Sequence, residues 1–341
     1  MSATNPAPQN PALQNPATQT GSAQSPASSA PQTSSQQNLA APAPATAPVI
    51  VVGSVNMDLL FTGLSSIPRP GQTVSGTDFQ IVPGGKGANQ AAAAARLGAN
   101  VQFVAAVGTD DLGDQAWAAL EAEGVGLDHV RRVGAPTGVA AVVVDTAGEN
   151  SIIINPGANA ELAAADAADI AAQFAGTGAV VLACLEVPLE TVTEWARIAR
   201  ANDWVFILNP APAPLTPLPA ELLELVTIIT PNDTELEELG TVEALQTSGV
   251  QTVLVTRGGD GADLHEPGAS AHHQDVFPAK PVDTTGAGDS FNGALATALA
   301  EGRSVREALR FAAATGSLST RAVGARDGLP TRDEVEDLLA R

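Results

Sequence analysis

Short apolar runs without polar interruption recur along this chain, and helix-forming segments separate them. A strand that is apolar at every position must be covered on both faces, which is typical of a parallel sheet whose crossover connections are helices. The pattern therefore predicts an α/β domain built around a mainly parallel sheet. The predicted strands are Val49–Val52, Val101–Val107, Ala179–Leu185, Val205–Leu208, Val226–Ile229 and Thr252–Val255.

Helical patterns fill the segments between these runs, and the chain is predicted to be helical throughout after Gly288. Gly98, Gly124 and Gly240 follow predicted helices at the position where a left-handed residue commonly ends a helix. The predicted helices are Ala88–Leu97, Leu112–Glu123, Glu161–Phe174, Leu189–Ala201, Thr234–Leu239, Val242–Gln246, Ser290–Glu301, Val305–Thr320 and Arg332–Leu339.

Two stretches, Phe61–Val82 and Thr137–Asn155, break this rhythm. The first has prolines and glycines among short β-type segments, and the second reads as two strands around the turn Asp145–Gly148. We assign both to a small antiparallel β-sheet lid built from about residues 59–83 and 131–155. A sheet that is not covered on both faces often finds a partner, so we expect a homodimer through this lid.

Residues 1–47 contain no Asp, Glu, Lys or Arg and consist mainly of Ala, Pro, Gln, Ser, Thr and Asn. Such a segment buries too little apolar area to offset an ordering entropy of ~1–2 kcal/mol per residue. We expect a disordered tail, either a docking segment or a solubilising extension, followed by a folded domain over residues 48–341. The tail lacks the basic and apolar regions of a signal peptide, so export is not indicated and a cytoplasmic location is expected.

Charge and residue counts exclude several classes of function. Acidic side chains number 37 and basic ones 16, and the net charge of -21 should repel nucleic acid and anionic lipid. No run approaches the ~20 apolar residues of a membrane span. A single cysteine, Cys184, excludes a disulfide framework, and four histidines without H-x-x-x-H spacing argue against a zinc hydrolase. A small phosphorylated ligand stays compatible with this charge, because a few backbone amides suffice to bind one phosphate.

The segment Asp283–Gly293 carries the strongest chemical signal. Small residues, Thr284 to Gly288, lead directly into a predicted helix, and the free N–H groups of such a turn point at one spot beside the positive end of the helix dipole. This arrangement predicts an anion hole. Asp289 in the first helical turn is either an ordinary helix-start acid or a base that accepts a proton from a hydroxyl attacking a bound phosphate.

A second glycine-rich turn, Pro83–Gln90, also opens a helix. It matches neither the P-loop pattern nor G-x-G-x-x-G, so a dinucleotide site is disfavoured. Lys86 is one of only two lysines in the chain, and Asn89 lies one turn into the helix, where its amide can bond to sugar hydroxyls. The alternative is a tight strand-to-helix turn without a ligand.

Polar groups also follow two predicted strands of the sheet. Asn56 and Asp58 come after the first strand and suit a polyol, and Glu186 closes the strand Ala179–Leu185. Ligands of open α/β sheets bind outside such strand ends. A plain structural turn and a surface glutamate are the alternatives.

Two further loops follow later strands. Asn232 and Glu235 are three residues apart, which is the spacing of a helix capping box but also places an amide and a carboxylate for Mg²⁺ and phosphate. Thr256–Gly261 is rich in glycine and is either a hairpin turn or a loop against a nucleotide. All these segments lie at strand ends or helix starts on one side of one sheet, and this joint occurrence carries more weight than any of them alone.

Read in order, the segments resemble the ribokinase-like carbohydrate kinases over the whole range from about Val49 to Leu339. Both family signatures are present, at Gly84–Asn89 and at Asp283–Asp289. Four segments read in order make the resemblance closest to the ribose-phosphorylating branch of the family: Gly53–Asp58, Pro83–Gln90, Leu208–Ala213 and Ile229–Glu235. The resemblance implies a three-layer α/β/α domain with a mainly parallel sheet and a small β-sheet lid.

The resemblance also implies roles for individual residues. Asp289 would be the catalytic base, and the amides of Gly286, Ala287 and Gly288 would stabilise the transferring phosphoryl group. The sugar pocket would consist of Asn56, Asp58, Gly85, Lys86, Asn89, Glu186 and Asp289. The ATP site would consist of Asn232, Thr256, Gly258, Gly259, Gly261, Gly288 and Ala313.

Two cations are implied in the same way. Asn232 and Glu235 would organise Mg²⁺ through water, and an activating K⁺ would be held by Asp283, Thr285, Ser319, Ala322, Gly324 and Gly328. Two positions depart from the family pattern. Gly328 stands where relatives often carry serine, which removes a hydroxyl ligand, and Ala313 stands where Asn or His is common beside the adenine.

The implied activity is phosphorylation of D-ribose at O5 by ATP. The same fold acting on deoxyribose, fructose, adenosine or another nucleoside, or 2-keto-3-deoxygluconate is the nearest alternative. A non-catalytic sugar-binding protein is the alternative from another class, and it would lack the base or the anion hole. An NAD-linked dehydrogenase would need a glycine fingerprint after the first strand, where the chain instead has Gly53–Asn56.

Overall fold

The computed structural model describes residues 46–341, which belong to one compact unit. The predicted tail, except for Thr46 and Ala47, therefore lies outside the described residues. The amide of Ala47 donates to the carbonyl of Ala300 over 3.1 Å, and the first strand starts at Val49. No helix in residues 46–341 is long and apolar enough to cross a membrane.

Among the described residues, nine strands form the large sheet, in the order β13-β12-β11-β10-β9-β8-β1-β4-β5, and four form a second, smaller sheet. The strands are β1 (Val49–Val52), β2 (Asn56–Leu64), β3 (Asp78–Gly84), β4 (Val101–Gly108), β5 (Val130–Val133), β6 (Gly138–Asp145), β7 (Asn150–Asn155), β8 (Val180–Cys184), β9 (Val205–Asn209), β10 (Ile228–Ile229), β11 (Thr252–Thr256), β12 (Ala262–His265) and β13 (His272–Gln274).

Helices cover both faces of the large sheet, as the continuous apolar strands require. The helices are α1 (Lys86–Arg96), α2 (Asp111–Ala122), α3 (Ala167–Ala172), α4 (Leu189–Ala201), α5 (Ala220–Leu225), α6 (Asp233–Leu239), α7 (Val242–Thr247), α8 (Ala287–Ala300), α9 (Val305–Ser319) and α10 (Arg332–Leu339). In β1, Val49 and Val51 belong to a core cluster that also contains residues of α1, α2, α8, α9 and α10, while Ile50 and Val52 belong to a second cluster with residues of α3, α4, α5 and α7. The predicted α/β/α architecture is confirmed.

Strand β1 lies at the point where the order of the large sheet reverses. The chain continues from β1 to β4 on one side and later returns to β8 on the other, and both neighbours pair with β1 in parallel. Open α/β sheets bind their ligands in the crevice at this switch point, outside the carboxyl ends of the strands. The turns after β1 and β8 therefore define the place to look for a site.

The small sheet (β2, β3, β6 and β7) forms from the two insertions that the sequence singles out. The two outer pairings are antiparallel as predicted, but the central pairing of β2 with β6 is parallel. Its bounds also differ from 59–83 and 131–155: β2 begins at Asn56, and residues 130–133 pair with β4 in the large sheet. Periodicity cannot assign β5 to a sheet, because its two arginines are exposed and resemble a lid strand.

Several local predictions need correction. The helix predicted over Glu161–Phe174 is two short 3-10 turns followed by α3, because the backbone is extended at Leu162, whose side chain is buried in the core. Strand β10 contains only Ile228 and Ile229, and Val226 instead ends α5. The antiparallel hairpin of β12 and β13 was not predicted, since β13 is polar and at most partly buried and β12 is short, with only Ala262 and Leu264 buried.

Candidate active site

Two glycine-containing turns meet at the switch point, and their backbones are in contact. A Cβ atom added to Gly87 would lie 2.5 Å from the carbonyl carbon of Gly53 and the amide nitrogen of Ser54. A Cβ atom on Gly85, which has a φ of +88°, would lie 2.6 Å from the amide nitrogen of Asn56. Part of the glycine pattern in Pro83–Gln90 therefore serves this close packing, whatever the turn binds.

Glu186 joins these two turns to the end of β8. Its Oε2 atom accepts a hydrogen bond from the hydroxyl of Ser54 over 2.5 Å and from the backbone amide of Lys86 over 3.0 Å. It is thus a built-in partner of the start of α1 and not a free surface carboxylate. A cleft of about 410 Å³ opens beside it, lined by Asn56, Ile154, Asn159, Leu185, Glu186 and Pro212 among others.

The side chain of Asn56 is held at the bottom of this cleft by Asn159. The Nδ2 atom of Asn159 donates to Oδ1 of Asn56 over 2.8 Å, and the backbone of Val55 bonds to both ends of the Asn159 amide. Since its oxygen is engaged, Asn56 keeps its NH₂ group as a donor for a ligand. Sequence reasoning missed Asn159, which follows the small sheet in a region with no strand or helix-start signal.

Asp289 is buried, with 8 % of its surface exposed, and two amides orient its carboxylate. Nδ2 of Asn89 donates to Oδ2 over 3.0 Å, and Nε2 of Gln90 donates to Oδ1 over 3.1 Å. Burial raises the pKa of Asp289 although the charge of Lys86 and these two hydrogen bonds act in the opposite direction. A carboxyl group with a raised pKa is a better proton acceptor than a free aspartate, which suits a general base.

The remaining charges of the site lie within electrostatic reach of Asp289. Burial raises the pKa of Asp58 to about 6, the Glu186 carboxylate adds to this, and Arg326 opposes it. Burial disfavours the ammonium group of Lys86, but the carboxylates of Asp289 and Glu186 outweigh burial and raise its pKa. Three carboxylates and two cations therefore influence one another across the site, and its charges are not balanced in close ion pairs.

The turn before α8 presents free amides as predicted, with one difference. Gly286 has φ +75° and forms the N-cap, and the amides of Gly286, Gly288 and Asp289 have no hydrogen-bond partner in the described part of the chain. The amide of Ala287 instead donates to the carbonyl of Thr284 over 3.2 Å. A Cβ atom added to Gly288 would meet no atom within 4 Å, so this side of the turn faces open space.

Asp283 fastens this turn to the segment that follows α9. Its Oδ1 atom accepts from the amide and the hydroxyl of Thr285, and its Oδ2 atom accepts from the amide of Gly324 over 2.8 Å. Partial burial opposes ionisation, but the hydrogen bonds from Gly324 and Thr285 hold the pKa of Asp283 below its ordinary value. An ionised carboxylate close to the backbone carbonyl of Thr320, which the Asp283 amide contacts, supplies oxygen atoms of the kind that bind a monovalent cation.

The other predicted cation ligands lie in the same place. The amide of Asp283 donates to the carbonyl of Thr320, next to Ser319, and Gly328 is in contact with Ser319 and Ala322. A Cβ atom on Gly328 would lie 1.9 Å from the carbonyl oxygen of Ser319. The backbone has closed over the space that a serine side chain would need, which explains how the chain accommodates this departure.

On the other side of Asp289, the loops after β10 and β11 meet. Asn232 and Glu235 form a complete capping box, with bonds of 2.8 and 2.9 Å between each side chain and the other residue's amide, so the structural alternative is confirmed. One carboxylate oxygen of Glu235 stays outside the box. Burial raises the pKa of Glu235 against its bond with Asn232, and Lys86 and Asp289 are near enough to affect it.

The loop after β11 is a hairpin turn with an open side. Thr256 pairs with Asn232, and Gly258 and Gly259 have no atom within 4 Å of an added Cβ, so a ligand can approach their backbone. Gly261 has φ +90° and little space, which makes it a requirement of the turn. Ala313 is buried in the core among α8 and α9 and offers only a methyl group.

The fold thus brings the predicted residues together around the start of α8. Thr230, at the end of β10, donates to Asn292 over 2.7 Å, and Asn292 donates to the carbonyl of Gly288, which ties the Asn232 loop to the anion-hole turn. Besides Asn159, sequence reasoning missed the roles of Gln90 and Asn209, whose amides meet at 3.0 Å, and of Arg326. Gln90 and Asn209 both lie in segments that carry the family resemblance, so their positions contained a usable signal.

Within residues 46–341, no group of three or more His, Cys, Asp or Glu side chains converges to hold a metal ion. A divalent ion at Asn232 and Glu235 would therefore need water and substrate oxygens as further ligands. That donor set is typical of Mg²⁺, which usually keeps several waters and binds through one or two carboxylates together with phosphates. The free oxygen of Glu235 fits this requirement.

Comparison with known proteins gives consistent matches. The model of the family described as pfkB family carbohydrate kinase matches residues 46–332. The ribokinase of Bacillus subtilis (strain 168) is 43 % identical over 296 residues, which cover 86 % of this chain and 99 % of that protein.

Solved structures agree with these matches. The crystal structure of the ribokinase from Thermotoga maritima has a TM-score of 0.79 at 35 % identity, and the alignment covers 86 % of this chain and 100 % of that one. The Arabidopsis thaliana ribokinase complexed with ribose and ATP has a TM-score of 0.78 at 37 % identity, with 87 % and 99 % covered.

Proposed function

This chain belongs to the pfkB family of carbohydrate kinases, and we propose on that premise that it transfers the γ-phosphoryl group of ATP to O5 of D-ribose. The products are ribose 5-phosphate and ADP. Relatives named ribokinase, 38–43 % identical over most of the chain, and a neighbouring structure that holds ribose and ATP support this assignment.

One observation carries the proposal. A buried carboxylate, Asp289, lies in the first turn of α8 beside three free backbone amides and is hydrogen-bonded to Asn89 in the glycine-rich turn. Base, anion hole and sugar wall therefore meet at one point. A binding protein without catalysis would have no need for a desolvated base beside an anion hole.

In the proposed reaction, Asp289 accepts the proton of the sugar hydroxyl as its oxygen attacks the γ-phosphorus in line. The bond from the γ-phosphorus to the bridging oxygen of ADP breaks, and its electron pair stays with ADP. The amides of Gly286, Gly288 and Asp289 stabilise the charge on the transferring group, helped by the positive end of α8. The ammonium group of Lys86 adds a positive charge at the same place.

The sugar is held by groups on both sides of the switch point. Asn56 and Asn89 donate through their amides, Asp58 and Glu186 accept from hydroxyl groups, and the backbone at Gly85 allows close approach. The small sheet, to which Asn56 and Asp58 belong, covers this pocket. Exclusion of water there would limit the transfer of the phosphoryl group to water.

ATP is proposed to lie against the loops that follow β10 and β11. Its site would be lined by Asn232, Thr256, Gly258, Gly259 and Gly261. Ala313 would contact the adenine ring of ATP through its methyl group only. Mg²⁺ would be held through water by Asn232 and Glu235 and would shield the charge of the phosphates. K⁺ would be held by Asp283, Thr285, Ser319, Ala322, Gly324 and Gly328 and would stiffen the anion-hole turn.

We further propose that two copies associate through the small sheet. Phe61, Phe79, Ile81 and Ile153 lie on one of its faces and are between 39 and 69 % exposed. An apolar face of this kind on an open sheet favours a second copy as partner. The use of ATP favours a cytoplasmic location.

The test is a coupled assay of ADP release by the purified chain with ATP and Mg²⁺. D-ribose, 2-deoxyribose, fructose, adenosine and 2-keto-3-deoxygluconate are offered in K⁺ and in Na⁺ buffer, and phosphorus NMR identifies the phosphorylated oxygen. We expect the highest kcat/KM for ribose, with phosphate on O5 and higher activity in K⁺. A higher kcat/KM for another sugar would contradict the ribose assignment. If none of the sugars stimulated ADP release, the proposed kinase activity would be wrong.

A further inference from the structure

A buried guanidinium group lies directly behind the wall of the proposed sugar pocket. Arg326, in the segment between α9 and α10, is 9 % exposed. Its Nε atom donates to Oδ1 of Asn89 over 2.9 Å, and one of its terminal nitrogens donates to the carbonyl of Gly84 over 3.2 Å. Both partners belong to the glycine-rich turn, and the other side of Gly84 faces the Asp58 carboxylate.

The energetics of this arginine do not suggest a stabilising role. The structure shows no carboxylate within 4 Å of its guanidinium among the described residues, and its other terminal nitrogen, Nη1, has no hydrogen-bond partner there. A buried cation without a close counter-ion costs free energy, which points to a role other than stability.

The contact with Asn89 determines which way that amide faces. Asn89 lies between a group that can only donate, the guanidinium of Arg326, and a group that accepts as a carboxylate, Asp289. With its oxygen toward Arg326 and its NH₂ group toward Asp289, both hydrogen bonds form. After a flip of the amide, oxygen would face oxygen on one side and N–H would face N–H on the other.

We propose that Arg326 is a positioning residue for phosphoryl transfer, because it holds the Asn89 amide with its NH₂ group directed at the Asp289 carboxylate. It acts through Asn89 and touches neither sugar nor ATP. The inference rests on the proposed function, since it assigns Asp289 as the base. Without the bond from Arg326, Asn89 can turn away, and Asp289 loses one of the two donors that orient it.

Arg326→Gln and Arg326→Met form a matched pair for the test. Both remove the charge and both have side chains of similar length, but only Gln has a nitrogen at the position along the side chain that Nε occupies in Arg. We expect Arg326→Gln to keep kcat within about 3-fold of the parent chain and Arg326→Met to lower it by about 10- to 100-fold, with KM for ATP unchanged in both. Equal losses in the two variants would mean that charge or packing matters and would overturn the proposal, as would a normal kcat of Arg326→Met.

A double-variant cycle separates positioning from a general structural defect. In a chain that already carries Asn89→Ala, replacing Arg326 by Met should lower kcat by less than about 3-fold further, because the residue through which Arg326 acts is gone. If the loss of kcat in the double variant equalled the product of the losses in the two single variants, the two residues would act independently and the proposal would be overturned. Thermal unfolding checks that each variant is folded. If Arg326→Met does not fold, Arg326→Leu takes its place in the comparison. If the parent chain has little activity with ribose, the ribose assignment fails independently of this proposal. The same variants are then compared with the sugar that gives the highest kcat/KM.

Discussion

The amide of Gln90 donates to Oδ1 of Asp289 over 3.1 Å, and the two residues lie 199 positions apart in the chain. The same Nε2 atom lies 3.0 Å from Oδ1 of Asn209 at the end of β9. One glutamine of α1 therefore connects the proposed base in α8 to the carboxyl edge of the large sheet. Helix packing around the switch point and the orientation of the base depend on each other through this contact.

Replacement of the base is the first prediction. Asp289→Asn removes the proposed proton acceptor but keeps size and most contacts, so kcat should fall by roughly 10²–10⁴ while sugar binding stays within a few-fold. Steady-state kinetics and calorimetric titration with ribose measure the two quantities. Asp337→Asn, at an exposed position of α10, is the control and should behave as the parent chain. Near-normal turnover of Asp289→Asn would show that another group takes the proton.

Removal of the Gln90 contact should change the pH dependence. Gln90→Leu deletes a hydrogen bond that lowers the pKa of Asp289, so this pKa should rise further. Because Asp289 must be ionised to act, the acidic limb of the kcat profile should move to higher pH. The profile is measured from pH 5 to 9, with Gln173→Leu on the surface as the control. An unmoved acidic limb would argue that Asp289 is not the group seen in the profile.

Asp58 should cost stability in the ligand-free protein. A pKa of about 6 in the folded state, against 3.8 ordinarily, means that the folded chain binds this proton more tightly than the unfolded chain. The unfavourable contribution is then fully present above pH 6 and is relieved as the pH falls from 6 toward 3.8. Asp58→Asn should therefore raise the free energy of unfolding at pH 7.5, by about 3 kcal/mol at most.

The same substitution should weaken the binding of ribose, because an acceptor for its hydroxyl groups is lost. Urea unfolding without ligand at pH 7.5 and at pH 5 measures the stability, and the advantage of the variant should be smaller at the lower pH. Asp203→Asn in a surface turn serves as the control. Lower stability of Asp58→Asn at pH 7.5 would contradict the electrostatic account of the site.

The contact between the two glycine turns predicts a steric effect. Gly87→Ala places a Cβ atom 2.5 Å from the backbone of Gly53 and Ser54, where no flexible side chain can yield. We expect a loss of about 1–3 kcal/mol in the free energy of unfolding, together with weaker sugar binding. Gly134→Ala is the matched control, because a Cβ atom there meets nothing within 4 Å. Equal stability of the two variants would mean that the turns can separate without cost.

The apolar face of the small sheet predicts the oligomeric state. The rings of Phe61 and Phe79 are 4.9 Å apart, and Phe79 and Ile153 are 50 and 69 % exposed. Phe79→Ser with Ile153→Ser should convert a dimer into monomers in analytical ultracentrifugation. Leu215→Ser, at a fully exposed position in the loop after β9, should leave the mass unchanged. A parent chain that is monomeric at micromolar concentration would remove the basis for the dimer.

Sequence patterns predicted well those features that depend on local chemistry. Val49–Val52 could be read as a strand covered on both faces, and its observed limits are the same, since apolar continuity reports burial directly. The start of α8 was also placed within three residues, because a run of Gly and small residues must precede a helix there. The spacing of Asn232 and Glu235 was compatible with either a helix capping box or a metal site. The structure shows the capping box.

Features that depend on long-range contacts were not accessible in this way. Asn159 and Arg326 reach the site from segments with no motif, and nothing in their local sequence states that Asn56 or Asn89 will be their partner. Strand β5 resembled a lid strand because the sheet to which a strand belongs is decided by its neighbours in space. Periodicity encodes which face is apolar, but it does not encode what covers that face.

The position of the small sheet in the chain has a mechanical consequence. Strand β2 begins at Asn56 and β3 ends at Gly84, and these two residues are paired with each other. The small sheet is joined to the rest of the described chain at residues 53–55, at Gly85, before Gly138 and after Asn155, and all four connections lie at the end where Asn56 pairs with Gly84 and Gly138. The hinge of any rotation of the small sheet therefore lies within one or two residues of Asn56 and Gly85, which are proposed to bind the sugar. The rotation that opens the pocket would then also break the contacts to the sugar. Release of the product would need no second conformational change.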